Sequence, residues 1–205
     1  MSSPVETTTP PEPGFDPLVF WIQNRSKILL FSGLLIVALA TWGISEWARV
    51  RKLTGAEQLL TAAKSADDYR TVIAEYPGTL AAGSAYLLLA EQLRKDGKLD
   101  ESSAQLRAFA EKHPEHPLVS GAWTSLAANL EAQGKSDEAL ATYQKVSTSY
   151  AGSFSAPVAL LAQARLLKAG GKTEEAGRIY EQVTTKYPDN IAAQLAAQES
   201  RQLKK

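Results

Sequence analysis

Between Ile28 and Ser45 the chain reads ILLFSGLLIVALATWGIS, a run of eighteen residues without a charged side chain. As a helix this run spans about 27 Å, close to the roughly 30 Å hydrocarbon core of a bilayer. It would be apolar on every side, and so small a chain offers nothing to surround it. Phe20 and Trp21 precede the run and Trp42 and Trp47 stand at its far end, where aromatic side chains meet a membrane interface. The pattern predicts a transmembrane anchor with interfacial flanks over residues 20–48. A cleaved signal segment is the competing reading, because Arg25 and Lys27 flank the apolar stretch Ile28 to Val37 and a small-x-small site, Ala38 to Ala40, follows. Continuation of the apolar run past Ala40 to Ser45 favours the anchor.

Residues 49–205 follow a different pattern, with apolar positions at helical spacing interrupted by a recurring turn. SGAWTSLAANLEAQG places Trp123, Leu126, Ala127 and Leu130 on one helical face. Gly134 ends that helix where a left-handed residue costs least, and Ser136 or Asp137 is expected to cap the next. The second helix turns Ala139, Tyr143 and Val146 inward and stops near Tyr150. Gly97, Gly134 and Gly171 lie 37 residues apart, each followed by Lys98, Lys135 or Lys172 and then by acidic residues. The same spacing links Tyr76, His113, Tyr150 and Tyr187, and behind them Pro77, Pro114, Ala151 and Pro188. A fixed period in this range marks a stacked repeat in which each unit buries its apolar face against its neighbours.

The recurring Gly-Lys-Ser/Thr also invites a nucleotide-binding reading. A phosphate loop needs a further glycine five residues ahead, a strand running in and a helix running out. Leu166 and Asn129 occupy the glycine positions, and the approach to Gly171 is an alanine- and leucine-rich helical stretch. The repeat register explains the turn as punctuation between helices.

On these columns the chain resembles the tetratricopeptide repeat family. The first-helix pattern falls on Tyr86, Leu89, Ala90 and Leu93, on Trp123, Leu126, Ala127 and Leu130, and on Leu160, Gln163, Ala164 and Leu167. The second-helix pattern falls on Ser102, Leu106, Phe109 and Pro114, on Ala139, Tyr143, Val146 and Ala151, and on Ala176, Tyr180, Val183 and Pro188. The match covers residues 79–188, with a degenerate half-unit at 66–77 and an incomplete one at 190–203 that reads as a capping helix. The resemblance implies an all-α fold: an N-terminal transmembrane helix, then a short tetratricopeptide-like α-solenoid of antiparallel helix pairs. A proline-rich tail, one anchor and a short stack together are similar in layout to anchored repeat proteins of the type of the ancillary subunit of the bacterial Sec translocon.

Composition narrows the chemistry. Residues 1–19 are rich in proline and threonine and are expected to be a disordered tail, since they cannot bury enough apolar surface to offset their ordering entropy. Lysine plus arginine and aspartate plus glutamate number 22 each, so no global field points to nucleic acid. Cysteine is absent, which removes disulfides, thiolate metal sites and thiol catalysis. His113 and His116 with Glu115 suggest a metal at first sight, yet His113 occupies a column otherwise held by tyrosine, where packing is the default. Glu101, Asp137, Glu138, Glu174 and Glu175 recur with the repeat in helix first turns, where they favour the positive end of the dipole rather than acid–base work. No catalytic, cofactor or metal residue is expected, and no nucleotide or nucleic acid.

Function is then expected on a surface. The resemblance implies a groove lined by first helices, whose outward positions here are Leu87, Glu91 and Arg94, then Thr124, Ala128 and Glu131, then Leu161, Arg165 and Lys168. Such a groove suits a peptide or a partner's helix. The expected role is a membrane-tethered scaffold or chaperone-like adaptor for exported or envelope proteins, including translocon components. Its localisation would be the inner membrane, single-pass, with the repeat domain periplasmic and residues 28–45 in lipid. Two basic residues precede the span (Arg25, Lys27) and three follow it (Arg49, Arg51, Lys52), which keeps a cytosol-facing adaptor open. An accessory subunit of an enzyme or transporter complex is the further alternative.

Overall fold

The computed structural model describes residues 17–203, and the expected disordered tail at residues 1–16 lies outside them, as do Lys204 and Lys205. Among the described residues the structure is entirely helical: α1 (Pro17–Ala62), α2 (Ala66–Glu75), α3 (Leu80–Lys95), α4 (Leu99–Lys112), α5 (Val119–Ala132), α6 (Ser136–Ser149), α7 (Ala156–Ala169), α8 (Thr173–Lys186) and α9 (Ile191–Leu203). The chain divides into two compact units, Met1–Arg51 and Lys52–Lys205. In the first, α1 carries its apolar side chains outward all round. Its most apolar eighteen-residue window is 0% buried, and it is the one described helix long and apolar enough to cross a membrane. Pro17, Leu18 and Val19, which composition assigned to the tail, form its first turn.

The second unit begins with residues 52–62, the last part of α1, which the apolar run alone did not reveal. Ala56 is buried there with Val72, Ala81 and Ala85, and Leu59 and Leu60 pack against them. Gly55 lets the Tyr76 ring approach, since a Cβ there would stand 2.8 Å from its hydroxyl and the ring would have to shift. Ser65 caps α2 through a capping box with Asp68, and Thr79 caps α3 by accepting from the Ala82 N–H. These side chains satisfy amide groups that the first helical turn leaves unpaired.

From α2 onward each helix packs on the next in chain order, and α7 also packs on α9. The repeating turn is a Schellman motif in all three units. Gly97, Gly134 and Gly171 have φ of 74° to 79°, the left-handed region that a side chain disfavours. Each glycine N–H donates to the carbonyl of Arg94, Glu131 or Lys168, and the following lysine N–H donates to that of Leu93, Leu130 or Leu167. The lysine thus serves the motif through its backbone. The expected side-chain cap at Ser136 or Asp137 does not form: Lys135 is the N-cap of α6 and no side chain bonds the first amides. Acidic residues fill the first turns of α4, α6 and α8 instead, where they face the positive end of the helix dipole.

The core follows the repeat columns. Leu89, Leu93, Leu126, Leu130 and Leu160 are buried, as are Phe109, Val146 and Val183 on the second helices. Trp123, expected on the same inward face as Leu126, is only half-buried. Its ring is covered by Lys145, whose Nζ lies 3.3 Å from the ring centroid, a cation–π contact.

Candidate partner-binding face

The first helix of each pair, α3, α5 and α7, turns its remaining side chains away from its partner helix, and the expected groove residues distribute unevenly there. Leu87, Glu91 and Arg94 of α3 come together around a recess of about 210 Å³. Its far wall is built from α5, with Gly121, Ser125 and Asn129, and its floor from Ser102 and Leu106 of α4. Glu91 pairs with Lys95 at 3.6 Å on the exposed side. The recess is accessible because α3 and α5 scarcely touch, as is also the case for α5 and α7, whereas α7 and α9 pack directly on each other.

On α5 the three expected residues are less available. The Thr124 hydroxyl donates to the Ser120 carbonyl at 2.9 Å, a helix back-bond that satisfies it locally. Ala128 is half-buried. Glu131 accepts a 3.1 Å hydrogen bond from the Tyr143 hydroxyl. Burial and that carboxylate together push the Tyr143 phenol well above the ordinary tyrosine range, with Arg94 acting weakly in the opposite direction.

On α7 the expectation is corrected. Leu161 is 5% exposed and belongs to the core cluster with Leu160, Ala164 and Leu167. It faces inward because α9 lies against α7 and encloses that position. Arg165 is committed within the chain, with its Nε donating to Glu199 at 2.7 Å and its second terminal nitrogen 2.6 Å from the same oxygen. Tyr180 donates to the other oxygen of Glu199 at 2.7 Å. Burial opposes ionisation of Glu199, but the bonds from Arg165 and Tyr180 and the nearby charge of Lys168 outweigh it and hold the carboxyl below its ordinary range. Lys168 itself is half-buried beside this group.

The most informative residue on this face was not expected from sequence. Asn129 is 0% exposed, and its amide nitrogen donates to Ser102 Oγ at 2.9 Å and Ser103 Oγ at 3.4 Å. Its Oδ1 is buried with no hydrogen-bond partner among the described residues. A buried acceptor left unmade costs its desolvation, and here it belongs to a residue lining the recess. The signal in the sequence is a polar residue in a column that reads Gln92, Asn129, Leu166 and Leu203.

His113 stacks on Phe109 at 5.6 Å and 22°, and His116 meets the same ring edge-on at 5.0 Å. Both imidazoles pack at the turn between α4 and α5, where His116 Nδ1 also accepts from the Leu118 N–H at 3.1 Å. Among the described residues no group of three or more His, Cys, Asp or Glu is placed to hold a metal ion.

Residues 19–198 match the family model described as tetratricopeptide repeat-like domain. The chain is similar in fold to a tetratricopeptide repeat protein from Parabacteroides merdae ATCC 43184, with a TM-score of 0.56 and 13% identity over 75% of this chain and 59% of that one. It thus spans about three fifths of that protein's length. Nearly identical TPR-like repeats from Podosopora anserina align with a TM-score of 0.52 and 22% identity over 77% of this chain and 88% of theirs. No curated protein matches.

Proposed function

This chain belongs to the tetratricopeptide repeat-like domain family, and from that premise we propose that it is a membrane-tethered adaptor that binds a segment of another protein along its first-helix face. One observation carries the reading: a single sequence joins a helix whose most apolar eighteen residues are wholly unburied to a helical stack with an open, mixed-polarity recess between its first helices. The apolar helix supports a tether, and the tether supports recruitment, because confinement to a membrane raises the local concentration of a weak binding face. The clients are exported or envelope proteins and the translocon components that deliver them, in keeping with the layout of Sec-associated anchored repeat proteins. The N-terminus then lies inside the cytoplasmic membrane and the stack outside, and the protein works by binding rather than by catalysis.

The test joins location to contact. Alkaline carbonate extraction is expected to leave the full-length chain in the membrane pellet, and a soluble product starting at Thr41 would overturn the tether. A photocrosslinker placed at Arg94 is expected to capture partner proteins, whereas one at Glu181, on a second helix, is not. A second reading, in which the stack faces the cytosol, has its own observation in Arg49, Arg51 and Lys52 after the apolar run. Because the chain has no cysteine, Asp189→Cys gives one labelling site. A membrane-impermeant maleimide is expected to label it from the periplasmic side of intact cells, and labelling only after lysis would favour the cytosolic reading.

A further inference from the structure

At the joint formed by α3, α4 and α5 the repeat's own columns fail to fill the space between neighbouring units. One column at 37-residue spacing reads Tyr69, Leu106, Tyr143, Tyr180. Tyr143 and Tyr180 are buried, and each ends on a carboxylate, Glu131 or Glu199. Leu106 is buried as well but lacks the outer half of the ring and the hydroxyl. Gly121, which also lines this space, stands where later units have Val158 and Leu195. The result is the recess of about 210 Å³, larger than the roughly 150 Å³ that holds a benzene in an apolar core.

The polar lining has a fixed direction. Ser102 donates its hydroxyl proton to the Ala90 carbonyl at 2.7 Å, so its oxygen is free only to accept. Asn129 must therefore present its amide nitrogen to Ser102, because the flipped amide would set two acceptors against each other. This leaves Oδ1 as the lobe without a partner. What the recess lacks is an aromatic ring of the size its sister joints contain, carrying one hydrogen-bond donor.

We infer that the recess takes a tyrosine side chain presented by an extended segment of the partner protein, the ring filling the volume that Leu106 leaves and the hydroxyl donating to Asn129 Oδ1, which is closed to solvent in the free chain and turns toward the recess on binding. This inference rests on the adaptor reading and specifies what the adaptor recognises. Glu91 and Arg94 at the mouth are left to meet the backbone and flanking side chains of the bound segment.

The experiment uses the full-length chain in detergent micelles with methyl-labelled leucines, titrated with N-acetyl-tyrosinamide, N-acetyl-phenylalaninamide and N-acetyl-leucinamide. Tyrosinamide is expected to give saturable shifts at Leu87, Leu106 and Leu118, and to bind about fivefold more tightly than phenylalaninamide, the effect of one hydrogen bond. Two variants install residues that the repeat already uses. Asn129→Leu should abolish the preference for tyrosinamide over phenylalaninamide, and Leu106→Tyr should abolish binding of both while melting no lower than the wild type. Absence of saturable shifts in the wild type, tyrosinamide and leucinamide binding alike, or shifts that survive Leu106→Tyr would overturn the inference. Partner crosslinking from Arg94 in a chain whose recess takes no tyrosinamide would overturn it while leaving the adaptor reading in place. Recess binding without any partner crosslinked from that face would retain the recess and remove the adaptor.

Discussion

Ala127 has no exposed surface and sits in the core cluster with Leu126, Leu130 and Val146. Ala127→Leu adds volume to a filled site, so we expect a loss of about 1–3 kcal/mol, read as a lower midpoint in urea unfolding. A second prediction concerns His113 and His116. Burial, and then the charges of His116 and Lys112, hold the His113 pKa below its ordinary 6.5, and burial does the same at His116. The unfolded chain therefore binds more protons than the folded one in this range, so stability rises with pH. The contribution is complete above the ordinary value and is lost as pH falls below it toward the folded-state values. The urea midpoint should drop between about pH 7.5 and about pH 5.5, and His113→Tyr, which installs the residue of the sister columns, should remove part of that drop. The helix periodicity made Ala127 and His113 legible because a residue in a repeating column inherits the role of its column. Asn129 was not legible that way, since its meaning depends on Ser102 in a neighbouring helix and on the atom that remains unpaired. Leu161 was misread for the related reason that α9, not its own helix, encloses it.

The turns and the last helix carry the element-scale predictions. Each Schellman glycine lies at positive φ with open space around it, so substitution there costs backbone energy and no clash. Gly134→Ala is expected to destabilise by about 1–2 kcal/mol, measured by the same unfolding midpoint, with helix content unchanged in the folded state. At the C-terminal end, Glu199 accepts from both Arg165 and the buried Tyr180. Glu199→Ala leaves a buried hydroxyl unpaired, a loss of about 1–3 kcal/mol. Amide exchange should quicken across residues 191–203 first, since α9 is the terminal element. Arg165→Ala is expected to quicken the same amides less, as its own side chain is half-exposed and such pairs contribute little. Helix boundaries from α2 to α8 were readable because the apolar period and the glycine turns agree. The extension of α1 to Ala62 was hidden, because beyond Trp47 its sequence turns polar and its buried face is narrowed to Ala56 and the leucines beside it.

Across the whole molecule, sequence alone distinguished an apolar segment from a repeating one, since the two obey different periodicities and neither tolerates the other's composition. It also assigned the stack to a known architecture, because the 37-residue columns state which side chains meet. Where the stack opens could not be read from any one column, since the recess combines Leu106, Gly121 and Asn129, which all differ from the later units' residues at one joint. A chain with Leu106→Tyr and Gly121→Val should therefore have a higher melting temperature than the wild type while its membrane partition stays the same, which thermal unfolding and carbonate extraction check on one sample. Packing chiefly between chain neighbours, with every helix from α2 onward resting on the next, has an evolutionary consequence. Each joint is a separate locus of inheritance: the closed joints can accumulate substitutions under selection for folding, while the open one drifts toward new clients, and a duplicated unit inserted in register would add a second such locus without rewriting the first.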